Sequence, residues 1–171
     1  SDVCSSDLIG IDSINRPDVG KLVRLTSFPG IESYPAFSPA GKAIAFTTEG
    51  EGGANRDVYV SILGGGEPVW LTSEAGIDVQ PVWSPDGLYV AFLRTGQKFD
   101  EKAHLIVIPA FGGQEMEIAR VWSGLDWSPD GKSFAVCDQE GSGGANAVYL
   151  LSRNGESRFA LTHPEIGRAH V

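Results

Sequence analysis

A five-residue stretch that occurs three times constrains the fold of this chain more than any other feature. It is Phe-Ser-Pro-Ala-Gly at residues 37–41 and Trp-Ser-Pro-Asp-Gly at residues 83–87 and 127–131. Proline sets the backbone for the second position of a type I turn, aspartate favours the third, and glycine takes the left-handed conformation that closes a hairpin. Each copy therefore predicts a hairpin turn. We prefer this to a metal or catalytic role because no partner residues lie at a fixed offset from the aspartate.

Other landmarks keep the spacing of 46 and 44 residues that separates the three copies. An alternating apolar segment after each turn predicts a second strand, a further apolar segment predicts a third, and a glycine-containing turn leads to a fourth. Four short strands in about 40–45 residues are typical of one β-propeller blade. The sequence therefore predicts an all-β partial propeller of four-stranded antiparallel blades. The predicted segments are the tail and connector of a preceding blade at 9–33, and blades at 34–72, 80–119 and 125–162.

The apolar core of a propeller lies between blades, so each blade needs a neighbour. We expect five aromatic side chains to pack between blades, and burial of each contributes about 1.5–3 kcal/mol. These are Phe46, Trp83, Phe92, Trp127 and Phe134.

Both ends of the chain resemble in-frame translations of a short-read sequencing adapter, in opposite orientations. We expect residues 1–8 and 165–171 to be such an artefact and exclude them from the fold. On this interpretation the chain is a piece of a longer protein, and a missing signal peptide carries no information about the parent. About three and a half blades cannot close a ring of the usual four to eight. We therefore expect exposed apolar faces and self-association of the isolated chain.

The charge balance bears on the choice of partner. The chain carries 22 Asp and Glu against 13 Lys and Arg, a net charge of -9. Because phosphate contacts need clustered basic side chains, we expect no direct nucleic-acid binding by this segment. It also contains no apolar run long enough to predict a membrane segment. A single cysteine outside the ends, Cys137, cannot report a redox compartment, so the localisation stays open.

Motifs that carry catalysis are missing from the sequence. There is no G-x-S-x-G elbow, and His104 and His163 lack the spacing of a triad or a metal site. The glycine-rich runs at 52–55 and 143–146 lack the lysine and the following helix of a phosphate loop. We therefore expect no catalytic residue, no cofactor and no metal in this chain.

The connectors between blades supply the only candidate contacts. Loops of several blades converge at the mouth of a propeller channel, and Asp78 and its equivalents Glu32 and Ser123 lie in three such connectors. We expect them to face a ligand or a partner at the channel mouth. The alternative is that they are ordinary solvated loop residues.

The repeat resembles the TolB-type, WD-like propeller repeat of bacteria. The residues that carry the resemblance are a Leu-Thr pair, a connector, and Pro-x-[Phe/Trp]-Ser-Pro-Asp-Gly at 35–41 and 81–87, followed by Ala-Phe, a Val-Tyr-Val strand and a glycine turn. The third copy, at 125–131, lacks the leading proline. The resemblance covers nearly all of residues 21–164. It is strongest to the C-terminal propellers of bacterial winged-helix transcriptional regulators and membrane-anchored serine/threonine kinases.

That resemblance implies a function and leaves alternatives open. In those regulators and kinases the propeller is a sensory or protein-binding part, so we expect a non-enzymatic module that recognises a protein or peptide through its loop face. The second hypothesis is the accessory propeller of a prolyl-oligopeptidase-like serine peptidase. The third is a periplasmic TolB-like envelope protein. Each would fit a periplasmic or membrane-anchored parent, and fold alone does not decide among them.

Overall fold

A computed structural model describes residues 24–26, 28, 30–49, 55–96, 101–139 and 146–162. These residues form twelve β-strands and no helix. The first six strands are β1 Ser33–Phe37, β2 Ala43–Thr48, β3 Asp57–Ile62, β4 Val69–Trp70, β5 Ile77–Trp83 and β6 Tyr89–Thr95. The other six are β7 Ala103–Pro109, β8 Met116–Val121, β9 Ser123–Trp127, β10 Ser133–Gln139, β11 Asn146–Ser152 and β12 Arg158–Ala160.

The strands form three four-stranded antiparallel sheets in chain order. Blade 1 contains β1–β4, blade 2 contains β5–β8 and blade 3 contains β9–β12. The first strand of each later blade packs against the preceding blade, β5 against β1 to β3 and β9 against β5 and β6. This confirms the predicted all-β partial propeller. Most of the predicted preceding blade, at 9–23, and both predicted artefact ends, 1–8 and 165–171, lie outside the described residues.

Each repeated Ser-Pro stretch forms a hairpin between the first and second strands of its blade. In blade 2, Ser84 N donates to Tyr89 O at 2.9 Å and Gly87 N, at φ +71°, donates to Ser84 O at 2.8 Å. The Asp86 carboxylate accepts from Ser84 Oγ at 2.5 Å and from Leu88 N at 3.0 Å. The predicted hairpin is therefore confirmed, and the aspartate is used inside the turn.

The Leu-Thr pairs extend the sheets beyond the outer strands. Thr72 Oγ1 accepts from Val58 N at 2.9 Å, and Thr162 Oγ1 accepts from Val148 N at the same distance. A side-chain oxygen thus takes the place of a backbone carbonyl in the ladder, which accounts for a threonine at this position of the repeat.

Two apolar cores join the blades. Trp83 and Phe92 lie in the core between blades 1 and 2, and Trp127 and Phe134 lie in the core between blades 2 and 3. These four predictions agree with the structure. Phe46 occupies the repeat position of Phe92 and lies on the face of blade 1 that a preceding blade would cover, and because residues 9–23 lie outside the described residues its packing between blades stays a prediction. There it packs with other aromatic and aliphatic side chains, Phe28, Ile44 and Tyr59.

The first strand of every blade contains the same bulge. Tyr34, Gln80 and Gly124 occupy equivalent repeat positions and have φ values of +52°, +53° and +67°. The register with the second strand shifts at these points. Positive φ is costly for residues other than glycine, so the bulge places Tyr34 and Gln80 in an unfavourable backbone conformation that Gly124 adopts without strain.

Candidate functional site

The structure places the three predicted channel-mouth residues in different surroundings. Glu32 is exposed and accepts from Thr26 Oγ1 at 2.6 Å, and Ser123 is an exposed residue at the start of β9. Asp78 is fully buried. In the part of the chain that the structure describes, no hydrogen bond or ion pair joins these three side chains. Their role as ligand or partner contacts stays a prediction.

The register also corrects which residue of blade 3 matches Asp78. Val79 pairs with Leu93, and Ser123 pairs with Cys137. Because Leu93 and Cys137 are 44 residues apart, Ser123 is the counterpart of Val79. The counterpart of Asp78 is therefore Trp122, and the predicted equivalence of Asp78 with Ser123 is wrong by one residue.

Asp78 belongs to a buried ionic network at the joint between blades 1 and 2. Arg94 donates from Nε to Asp78 Oδ1 at 2.8 Å and from Nη2 to Oδ2 at 2.9 Å. The same guanidinium contacts Glu115 at 2.7 and 3.0 Å. Burial raises the pKa of Asp78 above its usual value, although the hydrogen bonds from Arg94 and Thr72 act in the opposite direction.

Asp57 adds a third carboxylate to this joint. It accepts from Trp70 Nε1 at 3.1 Å and from Asn55 Nδ2 at 2.8 Å. Asn55 in turn accepts from Gly76 N at 3.1 Å, which ties blade 1 to the connector that enters blade 2. Burial raises the pKa of the Asp57 carboxyl, and the hydrogen bond from Trp70 opposes this effect.

A cavity of about 400 Å³ opens beside the network. His104 Nδ1 lies 2.9 Å from Glu117 Oε1 at its wall. Its lining is mainly charged, and consists of Glu74, Ala75, Arg94, Thr95, Gly96, His104, Ile106, Glu115 and Glu117. Within the described ranges, no group of three or more His, Cys, Asp or Glu side chains is arranged to hold a metal ion. The Arg94 side chain is paired with Asp78 and Glu115, and all three residues belong to blade 2.

A second buried carboxylate joins blades 2 and 3. Asp138 is fully buried and accepts from Lys102 of blade 2 at 2.8 Å, and it also pairs with Arg158 of blade 3. Asp138 and Arg94 occupy the same repeat position, 44 residues apart, with opposite charge. The two joints therefore use different ion pairs at equivalent places.

The opposite end of the blades has a different character. We call it the hairpin end, because the turns from first to second strand and from third to fourth strand meet there. A groove of about 550 Å³, groove A, lies at this end between blades 1 and 2. The Trp83 and Phe111 rings meet in it edge to face at 6.5 Å. Its lining is largely apolar, and consists of Ser38, Pro39, Ala40, Lys42, Ala43, Ile62, Trp83, Pro85, Asp86, Gly87 and Phe111.

Groove B, of about 770 Å³, lies at the hairpin end between blades 2 and 3. The Arg153 guanidinium is 4.7 Å from the centre of the Tyr89 ring and 5.4 Å from that of the Trp127 ring. The lining consists of Tyr89, Val107, Met116, Ile118, Asp130, Gly131, Lys132, Ser152, Arg153 and Asn154. Sequence analysis identified neither groove, because each combines side chains from two blades.

No helix capable of crossing a membrane occurs among the described residues.

Comparisons with a family model and with solved structures both identify TolB propellers as similar to this chain. A model of the TolB beta propeller domain matches residues 13–166. A comparison with curated protein sequences found no match. Among solved structures, TolB from Acinetobacter baumannii is 21% identical with a TM-score of 0.66, over 80% of this chain and 33% of that one. Putative TolB from Agrobacterium tumefaciens is 25% identical with a TM-score of 0.65, over 82% and 49%.

A protease propeller has a similar fold. The β-propeller domain of the Trilobed protease from Pyrococcus furiosus is 15% identical with a TM-score of 0.59, over 81% of this chain and 44% of that one. The chain thus spans a third to a half of the length of these three proteins.

Proposed function

The chain belongs to the TolB β-propeller family, and from this premise we propose that it is a protein-binding or sensory module that recognises a protein or peptide through its hairpin end. The parent would be a larger bacterial protein, a winged-helix transcriptional regulator or a serine/threonine kinase. The propeller itself would bind and would not catalyse. This part of the proposal rests on the resemblance of the repeat.

One observation carries the proposal of binding at the hairpin end. Large apolar side chains are exposed to water at the hairpin end, and two of them, Ile62 and Phe111, line groove A. The exposed fractions are 61% for Phe37, 51% for Ile62, 62% for Leu88 and 59% for Phe111. Exposed apolar surface beside a concave groove is typical of a protein-interaction site. At the opposite end, the connector end, where the chain passes from one blade to the next, Arg94 of the 400 Å³ cavity is paired with Asp78 and Glu115, and His104 lies against Glu117.

Two other functions are supported by the comparisons. The likeness to a protease propeller favours an accessory propeller of a prolyl-oligopeptidase-like peptidase. The likeness to two TolB structures favours a periplasmic TolB-like envelope protein. A hydrolase domain in the parent would support the first alternative, and a signal peptide with a small α/β domain would support the second.

The binding proposal is tested by selecting phage-displayed peptides on the full chain and mapping them by amide hydrogen exchange. We expect selected peptides to protect amides at the hairpin end and to lose affinity for a Phe111→Ser variant. Phe159→Ser serves as the control, because Phe159 is also an exposed aromatic, at 64%, but lies on an outer strand. Protection confined to the connector end, or equal loss for both variants, would contradict the proposal.

A further inference from the structure

Groove B differs from groove A in its charge. Lys132 and Arg153 both line it, and the one carboxylate in its lining, Asp130, is engaged by Ser128 Oγ at 2.7 Å and by Lys132 N at 3.1 Å. In the described ranges, neither the Lys132 ammonium nor the Arg153 guanidinium forms an ion pair with a carboxylate. On a chain of net charge -9, this is a locally positive groove.

Arg153 is held in place before any partner arrives. Its guanidinium lies over the Tyr89 and Trp127 rings, and its backbone N donates to Lys132 O at 2.8 Å. Stacking on aromatic rings fixes the plane of a guanidinium and leaves its N–H edges available for a bidentate carboxylate. Under it, the Trp127 Nε1 donor is buried without an acceptor among the described residues, whereas Trp83 Nε1 donates to Ala36 O at 3.0 Å.

The floor of groove B is apolar. Val107 is fully buried, Ile118 is half-buried, and Met116 is an exposed thioether side chain at the rim. Methionine adapts its shape to different apolar partners. The groove is within the size range that holds a few side chains of a ligand. A ligand with an apolar side chain on the groove floor and a carboxylate at the rim would match both the apolar floor and the two cationic side chains.

Groove A provides an internal comparison. The repeat positions of Lys132 and Arg153 are occupied in blade 2 by Leu88 and Ala110, because Ala110 N donates to Leu88 O as Arg153 N donates to Lys132 O. The lining of groove A includes one lysine, Lys42, together with Asp86. Of the two grooves, groove B alone presents two cations, and this charge difference predicts a difference in partner chemistry.

We propose that groove B binds an acidic peptide segment of a partner protein, with an apolar side chain on the groove floor and a carboxylate held by Arg153 and Lys132. This inference rests on the proposed function and specifies its partner. Charge-assisted bidentate bonds to a fixed guanidinium give specificity for carboxylates over amides.

The test uses the full chain and three short fluorescent peptides with a central Leu-Phe pair, flanked by glutamates, by glutamines or by lysines. Fluorescence anisotropy measures their affinities at low and physiological ionic strength. We expect the glutamate peptide to bind at least about tenfold more tightly than the glutamine peptide, the lysine peptide not to bind, and added salt to weaken binding. Lys132→Glu should abolish the preference for glutamate. Lys42→Glu, the same charge change at the same repeat position of blade 1, should leave it unchanged.

Arg153→Lys tests the guanidinium itself and should lower the affinity for the glutamate peptide while keeping the charge. Because Arg153 also stacks on two rings, thermal unfolding of each variant is measured in parallel. If the Arg153 variants unfold, Lys132→Glu still tests the inference, because Lys132 is exposed. Equal affinity for the glutamate and glutamine peptides would overturn the inference, as would an equal effect of Lys42→Glu and Lys132→Glu. If both neutral and acidic peptides bind and Phe111→Ser removes binding, the proposed function stands and the acidic specificity fails. If no peptide protects the hairpin end, both fail.

Discussion

Asp78 and Arg94 form a bidentate ion pair across two neighbouring strands, and the carboxylate is buried while the guanidinium reaches on to Glu115. Their Cα atoms are direct partners in the β5–β6 register. Two carboxylates therefore share one guanidinium, and the Asp57 carboxylate of blade 1 lies at the same joint, bonded to Trp70 and Asn55. The attraction within a buried ion pair roughly offsets the cost of burying its two charges, so the intact pair adds little net stability. Removing one partner lowers the free energy of unfolding strongly, because the other charge is left buried without a counter-charge.

Arg94→Gln is expected to destabilise the chain by about 3–5 kcal/mol, because it leaves the buried Asp78 charge without its partner. Urea unfolding measures the effect. The double variant Arg94→Gln with Asp78→Asn is the matched control and should recover a large part of the loss. A double variant as unstable as Arg94→Gln alone would show that the guanidinium acts through packing.

The pH dependence of Asp57 follows from the direction of its pKa shift. A carboxyl whose pKa is raised on folding contributes stability that is fully present below its unfolded pKa, near 3.8, and is lost as pH rises through the folded pKa. At neutral pH the folded protein therefore carries a buried charge that the amide of Asp57→Asn would not. We expect Asp57→Asn to be more favourable relative to the wild type at pH 7 than at pH 4. Urea unfolding at a series of pH values checks this, and a difference that stays constant with pH would refute it.

The hairpins and the blades could be predicted from the sequence because both depend on local residues at a fixed spacing. Ser84, Asp86 and Gly87 form their hydrogen bonds with one another, so a short stretch of sequence is enough to predict that turn. The blade cores were largely predictable for the same reason, since the aromatic at the end of each first strand recurs. Phe46 faces the side of blade 1 that a preceding blade would cover, so its packing between blades stays a prediction.

The candidate site was less predictable because it depends on register and on contacts between blades. The bulge at Gln80 shifts the pairing of β5, and without it Asp78 could not be placed opposite Arg94. A signal was present in the sequence, since Gly124 occupies the bulge position in blade 3. Arg153 gave no local signal, because the rings that hold it belong to a first strand and to a neighbouring blade.

The bulge in blade 3 gives a prediction about Gly124. A Cβ added there would lie 3.1 Å from Cys137 Sγ, and φ is +67°. Gly124→Ala should therefore cost about 1–2 kcal/mol from the backbone conformation, with a further steric part from the sulfur. The steric part should disappear in a Cys137→Ala background, where the same substitution is measured as the control. Thermal unfolding of the four proteins would contradict this account if the cost of Gly124→Ala were the same in both backgrounds.

The first hairpin lacks the aspartate that the other two use, and this predicts a stabilising substitution. In blade 1, Ser38 Oγ accepts from Ala43 N at 3.0 Å and from Lys42 N at 3.2 Å, and Gly41 N donates to Ser38 O at 2.8 Å. The backbone therefore already has the turn geometry of blades 2 and 3. Ala40→Asp should add a carboxylate that accepts from the Ser38 hydroxyl and from Lys42 N, and should raise the free energy of unfolding by about 0.5 kcal/mol.

The gain from Ala40→Asp should require the charged carboxylate. In blade 2, the hydrogen bond from Ser84 and then that from Leu88 N hold the pKa of Asp86 below its usual value. A carboxyl with a lowered pKa contributes stability that is present above its unfolded pKa and is lost as pH falls through the folded pKa. We therefore expect the advantage of Ala40→Asp over the wild type to be full above the usual aspartate pKa and to shrink as pH falls below it. Ala40→Asn is the control, because its amide oxygen can accept the same bonds without charge and its effect should not vary with pH. Equal pH profiles for the two variants would mean that turn propensity, and not the charged acceptor, favours aspartate at this position of the repeat.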